Sequence, residues 1–357
     1  MSKIVLRPFT DADLSSVAAL KNRHVKGSGD RWEKRFHWQY RENPAFQGED
    51  FVGWALVADD AVRGAAFVMR QRFRCEAEEV TVPILADMIV APELSIQCLQ
   101  LMKAYFELAG SGPALCTSAA EATSRMWKAF GGDHLAGTDC QLSAVLRPGA
   151  ILKDKLAQRI GLSLPRVIFG PVDGFWQLTS RKTLSPGYQL KHELVAASDH
   201  RLQDVVAETA SLYTFTAARD TQYLKWRYER SGARIVLVSA RSGEPVCWAA
   251  YTDVPSPGSA RRARVLDISG AVTDSEASAV ASTVLRHLCE MRYDAAVLVG
   301  MHSSWRTAFK NVGCRVHSRP SSFVVKSENM ETSGWHVVPA DGDNSFWDLD
   351  LTFSQTD

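Results

Sequence analysis

Apolar and polar positions along this chain follow two periods, and the succession of periods occurs twice. From 98 to 108 the apolar residues of "IQCLQLMKAYFELAG" fall at 98, 99, 101, 102, 105, 106 and 108, which is the spacing of one helix face. "SAVASTVLRHLCEM" repeats that spacing later in the chain. Ahead of the first helix, "GWALVADDAVRGAAFVMRQRF" predicts two paired strands about a turn at Asp59-Asp60, and "PILADMIVAP" predicts a third. Ahead of the second, "RIVLVSARSGEPVCWAAYTDV" turns at Ser242-Gly243 and "RVLDISGAVT" follows. Each helix then leads to a buried strand, "PALCTSA" or "AAVLVGM", and to a helix end, "SRMWKAFGG" or "WRTAFKNVG". Upstream, strand-like "KIVLRPF" and "YQLKHELVA" precede helix starts at "FTDADLSSVAAL" and "ASDHRLQDVVAE", with Thr10 and Ser198 as N-caps.

The order is held together by register. Trp38 and Trp226 lie 188 positions apart, as do Tyr40 and Tyr228, within "FHWQYRENPAF" and "QYLKWRYERSG". Thr10, Asp11 and Leu14 stand opposite Ser198, Asp199 and Leu202 at the same offset. Asp87 faces Asp267 at 180, and Gly131 faces Gly313 at 182. A repeated order with small loop-length changes is the mark of a duplication. The expected division is residues 1–150, a linker at 151–187, and 188–357. "CQLSAVLRP" would finish the first copy, "RPGAILKDKLAQRIGL" reads as a helix, and Pro165, Pro171 and Pro186 mark a loop-rich bridge. The recurring Trp38 and Trp226 read as core pins of each repeat.

Composition narrows the class. Of the 357 residues 46% are hydrophobic and 23% charged, as in an ordinary globular protein, and that length suits two cores. A formal net charge of +1 favours neither nucleic acid nor an anionic membrane. No apolar run reaches the roughly 20 residues of a membrane helix. "MSKIVLRPFTDADL" turns polar too soon for a signal peptide, so a cytoplasmic location is expected. The seven Cys are scattered without Cys-x-x-Cys, and the nine His lack metal-ligand spacing, so no metal is expected. Gly-x-Ser-x-Gly, the P-loop and Gly-x-Gly-x-x-Gly are all missing. "SARRAR" at 259–264 is the one dense basic run, read as a solvated loop tip.

Strand, helix pair, three strands, helix, strand, helix and terminal strands resembles the order of the GCN5-related N-acetyltransferase (GNAT) superfamily, here twice. The resemblance implies an α/β fold of two tandem GNAT-like domains, each a mixed twisted sheet flanked by helices. It implies an N-acyltransferase drawing on acetyl-CoA or another acyl-CoA and acting on a small amine or amino sugar. The Tyr-Leu-x-Trp-Arg-Tyr segment at 223–228, Asp220 before it and the closing "GWHVVPADGDNSFWDLD" resemble tandem acetyltransferase-like proteins of bacterial polysaccharide synthesis.

Carried onto this chain, the family pattern names candidate residues. Asp87, between apolar neighbours on the fourth strand, would be a general base with a raised pKa. Backbone N–H groups near Ile89 and Val90 would hold the thioester oxygen. Ser95 would meet a coenzyme phosphate, Ser124 and Trp127 would face the departing thiolate, and His37 and Tyr40 would line an acceptor pocket. Two departures stand beside these. The coenzyme loop is expected to be basic and glycine-rich, yet the matching stretches are "VAPELSIQ" and "GAVTDSEASA". The tyrosine that protonates the thiolate is replaced by Trp127 and Phe309, neither of which ionises usefully. A catalytically degenerate binding module is therefore the second reading. A Fem-type aminoacyl transferase is the third, opposed by the near-neutral charge and the lack of a coiled-coil arm.

Overall fold

A computed structural model describes residues 4–24, 28–48, 51–76, 78–161, 165–180, 190–209, 211–254, 258–270, 274–299, 302–319, 321–327 and 331–342. The first half runs β1 (Ile4–Pro8), α1 (Leu14–His24), α2 (Ser28–Phe36), β2 (Gly53–Ala58), β3 (Ala61–Cys75), β4 (Glu78–Val90), α3 (Cys98–Ala109), β5 (Ala114–Ala120), α4 (Glu121–Ala129), β6 (Asp133–His134) and β7 (Cys140–Val145). Two helices follow, α5 (Pro148–Ile160) and α6 (Gly170–Ser180). The second half runs β8 (Lys191–Val195), α7 (Arg201–Thr209), β9 (Phe215–Ala217), α8 (Thr221–Leu224), β10 (Arg234–Ser239), β11 (Pro245–Val254), β12 (Arg262–Gly270), α9 (Asp274–Glu290), β13 (Ala295–Val299), α10 (Ser303–Asn311), β14 (Arg315–Ser318), β15 (Ser321–Lys326) and β16 (Trp335–His336). No helix among the described residues is long and apolar enough to cross a membrane.

Local chemistry explains several of these boundaries. Asp59 and Asp60 both take positive φ, 51° and 59°, the conformation a two-residue hairpin turn needs between β2 and β3. Asp220 caps α8 by accepting from the Tyr223 amide at 2.8 Å. At the start of α7 the capping acceptor is Asp199, which takes the Arg201 amide at 3.0 Å, one position beyond the expected Ser198.

Two sheets result, and each is finished by the other half of the chain. The first has the order β1-β2-β3-β4-β5-β15-β6, the second β14-β7-β13-β12-β11-β10-β8. Strand β7, whose sequence "CQLSAVLRP" suggested the end of the first copy, instead pairs with β13 (Ala144 opposite Ala296) and β14 (Leu142 opposite Val316). Strand β15, from the second half, pairs with β5 (Val324 opposite Cys116) and with β6 (Val324 opposite His134). Phe323, Val324 and Val325 are all buried, so both faces of β15 lie in apolar surroundings. The large hydrophobic core accordingly runs through both halves, from Phe9 to Ala340, with a smaller cluster beneath α3 and α4.

The repeated Trp-x-Tyr segments lie in π-helical turns at His37–Arg41 and Lys225–Glu229. Trp38 Nε1 donates to the Trp226 carbonyl at 2.9 Å, and Trp226 Nε1 donates to the Trp38 carbonyl at 2.8 Å. The rings are 5.6 Å apart, and the buried Arg227 guanidinium stacks within 5.3 Å of both. Two reciprocal bonds between equivalent residues define a local pseudo-twofold axis. The tryptophans thus pin one half to the other, where the sequence suggested a pin within each repeat.

Removing either indole should cost about 3–5 kcal/mol. Urea denaturation of Trp38→Ala and of Trp226→Ala checks the magnitude. Because the strands are exchanged, the wild-type chain is expected to unfold in one transition; two separated transitions would contradict an interlocked pair.

Candidate functional site

The site begins with strands that part. Parallel β4 and β5 pair only at Ile84 and Leu115, after which β4 continues to Val90 and β5 to Ala120 without a ladder between them. In the second half β12 and β13 pair from Arg262 and Ala295 to Val265 and Leu298 and then part. Each parting strand is bulged against its other neighbour. The β3–β4 register shifts between Ala65 and Phe67, and Asp87 there has φ 53°, uncommon for a residue other than glycine. The β11–β12 register shifts between Ala250 and Tyr251, beside Asp267.

Both bulges carry a buried carboxylate held by the tyrosine of Trp-x-Tyr. Tyr40 donates to Asp87 Oδ2 at 2.6 Å, and Tyr228 donates to Asp267 Oδ2 at 2.6 Å. Around Asp87 stand Lys21 Nζ and Arg35 Nη2, each 3.1 Å from Oδ1. The raised pKa expected of Asp87 is reversed. Burial alone would raise it, but the charges of Lys21 and Arg35 and the Tyr40 hydroxyl outweigh burial and hold the carboxyl below its ordinary value. A carboxylate stabilised in that way is a poor proton acceptor, so its arrangement is that of a structural ion cluster.

Around Asp267 the partners differ. Arg219 gives Nε to Oδ2 at 2.6 Å and Nη2 to Oδ1 at 3.1 Å, and its Nη2 also lies 3.3 Å from Asp341. Asp341 further accepts from the Val338 amide at 2.9 Å and from the Tyr223 hydroxyl at 3.2 Å. Burial and the neighbouring Asp267 push its carboxyl up to about 6, against the opposing pull of Arg219. His336 is fully buried. Its Nδ1 accepts from the His302 amide at 3.2 Å while its Nε2 lies 2.9 Å from the Ile268 carbonyl, so that carbonyl takes the Nε2 proton. Ile268 belongs to β12 and His302 follows β13, so one imidazole spans the parting of the second half.

The remaining candidates are dispersed. Ile89 and Val90 are half-buried on the parting end of β4. Ser95 is exposed on the 3-10 turn Pro92–Gln97 that leads into α3, where Glu93 lies 3.9 Å from Arg63. Ser124 is buried on α4, and Trp127 is fully buried against Tyr105 and Phe106, its Nε1 without a partner among the described residues. His37 and Tyr40 do not share a pocket: His37 is exposed, whereas Tyr40 turns inward to Asp87. Sequence reasoning missed Lys21, Arg35, Arg219, His336 and Asp341. Lys21 shares the buried face of α1 with Val17 and Ala18, and Arg35 lies between buried Trp32 and Phe36, a spacing that could have flagged both.

A cleft of about 220 Å³ opens next to the second cluster, its floor formed by Thr209, Tyr213, Thr216, Arg219 and Ser269 and one wall by Arg74 and Glu79 of the β3–β4 hairpin.

No protein-family model and no curated protein matches the sequence. Solved structures do match in shape. A probable N-acyltransferase from Enterococcus faecalis V583 superposes with a TM-score of 0.57 at 8% identity, covering 93% of this chain and 74% of that one. A GCN5-related N-acetyltransferase from Kribbella flavida gives 0.55 at 13% identity, covering 91% and 72%. Saccharomyces cerevisiae N-myristoyltransferase with bound myristoyl-CoA gives 0.53 at 8%, covering 91% and 83%. The fold is the GNAT fold, in tandem. At these identities the likeness speaks for architecture alone, and the side chains at the site are this chain's own.

Two measurements test the clusters. Asp87→Asn removes the buried carboxylate charge that Lys21 and Arg35 share and should destabilise by about 3–5 kcal/mol, read by urea denaturation. Asp341 has a folded value of about 6 against an ordinary value of 3.8. Between those values the folded protein holds the extra proton, so its contribution to stability is full below the unfolded value and declines as pH rises through the folded one. Asp341→Asn should remove that decline from a stability profile taken between pH 4 and pH 7.

Proposed function

We propose that the chain is an acyl-CoA-dependent N-acyltransferase whose donor opening lies between β4 and β5 of the first half. The observation that carries this reading is the contrast between the two partings. His336 bridges the second from Ile268 to His302, while the first is flanked by half-buried Met88, Ile89 and Val90. The residues there suit a thioester ligand. Trp127 holds a buried N–H without a partner among the described residues, within the same small core as Met88 and Val90, a donor that a ligand sulfur or oxygen would satisfy. The bulged strand is where backbone amides would polarise a carbonyl. At the lip, Pro92 has no amide to give, and Arg63, 3.9 Å from Glu93, is a cation beside the turn for a diphosphate to meet. The acyl-CoA supplies an activated acyl group, and acetyl is the smallest that fits the reading. The chain supplies proximity and a polarised carbonyl, which together account for much of the rate in such transfers. Proton removal from the amine falls to water or to a group other than Asp87.

The second reading is a binding module without turnover, favoured by the locked Asp87 and by Phe309 and Trp127 standing where an acid is expected. A thermal-shift series with acetyl-, octanoyl- and myristoyl-CoA tests the donor reading. A ligand at 100 times its dissociation constant adds about 2.7 kcal/mol. Met88→Trp, which fills the opening, should abolish the shift. No shift with any of the three in the wild type defeats the reading. A shift without acyl transfer to any amine in a panel supports the module instead.

A further inference from the structure

The cleft between the β3–β4 hairpin and the second half has an uneven charge plan. Arg74 reaches it from β3, is exposed, and has no carboxylate within 4 Å among the described residues. The other two arginines of this region are each shared by two carboxylates. Arg72 pairs with Glu79 at 3.0 Å and with Asp220. Arg219 pairs with Asp267 at 2.6 Å and with Asp341 at 3.3 Å. In the lining of the cleft, Arg74 therefore offers an unspent positive charge, while Glu79 and Asp220, which share Arg72, leave negative charge in excess at one place; Asp267 and Asp341 are fully buried and do not line it.

The floor adds hydrogen-bonding groups of both kinds. Tyr213 accepts from Trp305 Nε1 at 3.0 Å, and Thr216 accepts from Arg219 Nη1 at 2.7 Å. Neither hydroxyl has an acceptor for its own proton among the described residues, so both are free to donate into the cleft. Thr209 donates to the Val205 carbonyl at 2.8 Å and lies 3.2 Å from Ser269 Oγ, so Ser269 gives its proton to Thr209 and keeps lone pairs to accept. The Tyr213 ring is fixed by stacking on His336 at 4.5 Å. These groups are set before any ligand arrives.

We infer that this cleft binds a small zwitterionic amine of the amino-acid class, its carboxylate on Arg74 and its ammonium and polar arm toward Ser269 and the carboxylate-rich side. Charge of either single sign would meet repulsion at one end, whereas a zwitterion meets attraction at both. The volume of about 220 Å³ suits one such molecule and excludes a folded peptide. That the bound amine is the acyl acceptor rests on the acyltransferase reading above; its binding does not.

The test is isothermal titration of the full chain with a panel of L-amino acids, followed by two analogues of the best binder. One is the α-hydroxy acid that lacks the amine, and the other the amine that lacks the carboxylate. At least one amino acid is expected to bind in the millimolar range or tighter, with both analogues weaker by roughly tenfold or more. Arg74→Ala should lower affinity for the amino acid by a similar factor and leave affinity for the decarboxylated amine unchanged; Arg74→Lys should restore part of the loss. Absence of binding by every amino acid at about 20 mM overturns the assignment, being weaker than any working site. So does an analogue that binds as well as the parent, or full affinity in Arg74→Ala. Acyl-CoA binding is measured separately. A positive acyl-CoA shift with no amino-acid binding removes this inference alone, and the converse removes the donor reading alone.

Discussion

Neither sheet of this protein can be completed without the other half of the chain. Strand β7 is central to the pairing of β13 with β14, and β15 is central to that of β5 with β6. A half folded alone would leave a buried strand position empty and two ladders of backbone groups unpaired, at a cost no surface contact offsets. The exchange is therefore the constraint on which everything else rests. It forces the halves into one core and fixes their relative rotation. It also brings the two π-helical turns face to face, so that each tryptophan indole finds the other's carbonyl. Exchange and tryptophan pair reinforce each other: the strands bring the halves together, and the reciprocal bonds satisfy the polar groups that the contact buries.

A fixed rotation also makes the inter-half cleft possible. Its wall comes from a hairpin of the first half and its floor from the second, and Arg72 reaches across to Asp220 between them. The end of the described chain takes part as well. From β16 it places His336 against Ile268, Asp341 against Arg219, and the Gly342 carbonyl on Arg227. Gly342 also lies so close to Thr117 of β5 that a Cβ there would fall 1.8 Å from its hydroxyl, a contact only glycine allows. One segment thus ties the second cluster to the parting strands of the first half.

How much of this was legible in the sequence follows from what sequence patterns encode. Element order and type were readable because hydrophobic period is local, and the register of Trp38 with Trp226 and of Asp87 with Asp267 made the duplication visible. Which sheet a strand joins is a non-local property. "CQLSAVLRP" reads equally well as the last strand of either half, so the exchange stayed hidden. The error over Asp87 has the same root. Its sequence neighbours Leu85 and Met88 are apolar and suggested a desolvated, raised carboxyl. Its real partners lie 66, 52 and 47 positions away in Lys21, Arg35 and Tyr40, and their charges and hydroxyl decide its state. His37 and Tyr40 failed as a pair because the segment His37–Arg41 is a π-helical turn, in which three positions fall well short of a full turn, so Tyr40 looks into the core while His37 is exposed.

The duplicated clusters show how one architecture can divide two tasks. Both keep a tyrosine and an aspartate on a bulge, the part the fold requires, since a buried bulge with a carboxylate must be paired. They differ in what surrounds that pair. In the first half two cations serve one carboxylate, which makes the cluster inert and leaves the parting of β4 and β5 clear of it. In the second half one cation serves two carboxylates, and an imidazole fills the parting while polar groups face a cleft. On the acyltransferase reading, the same geometry is then a donor opening where the charge has been neutralised, and an acceptor surface where negative charge has been left over. An amine bound there would stand in the field of Glu79 and Asp220, which line the cleft, and that field favours its ammonium form until the proton is taken up elsewhere. Selection of the amine and its deprotonation would then rest on different groups, and Asp87, buried and ion-paired with its pKa held low, need not be the base.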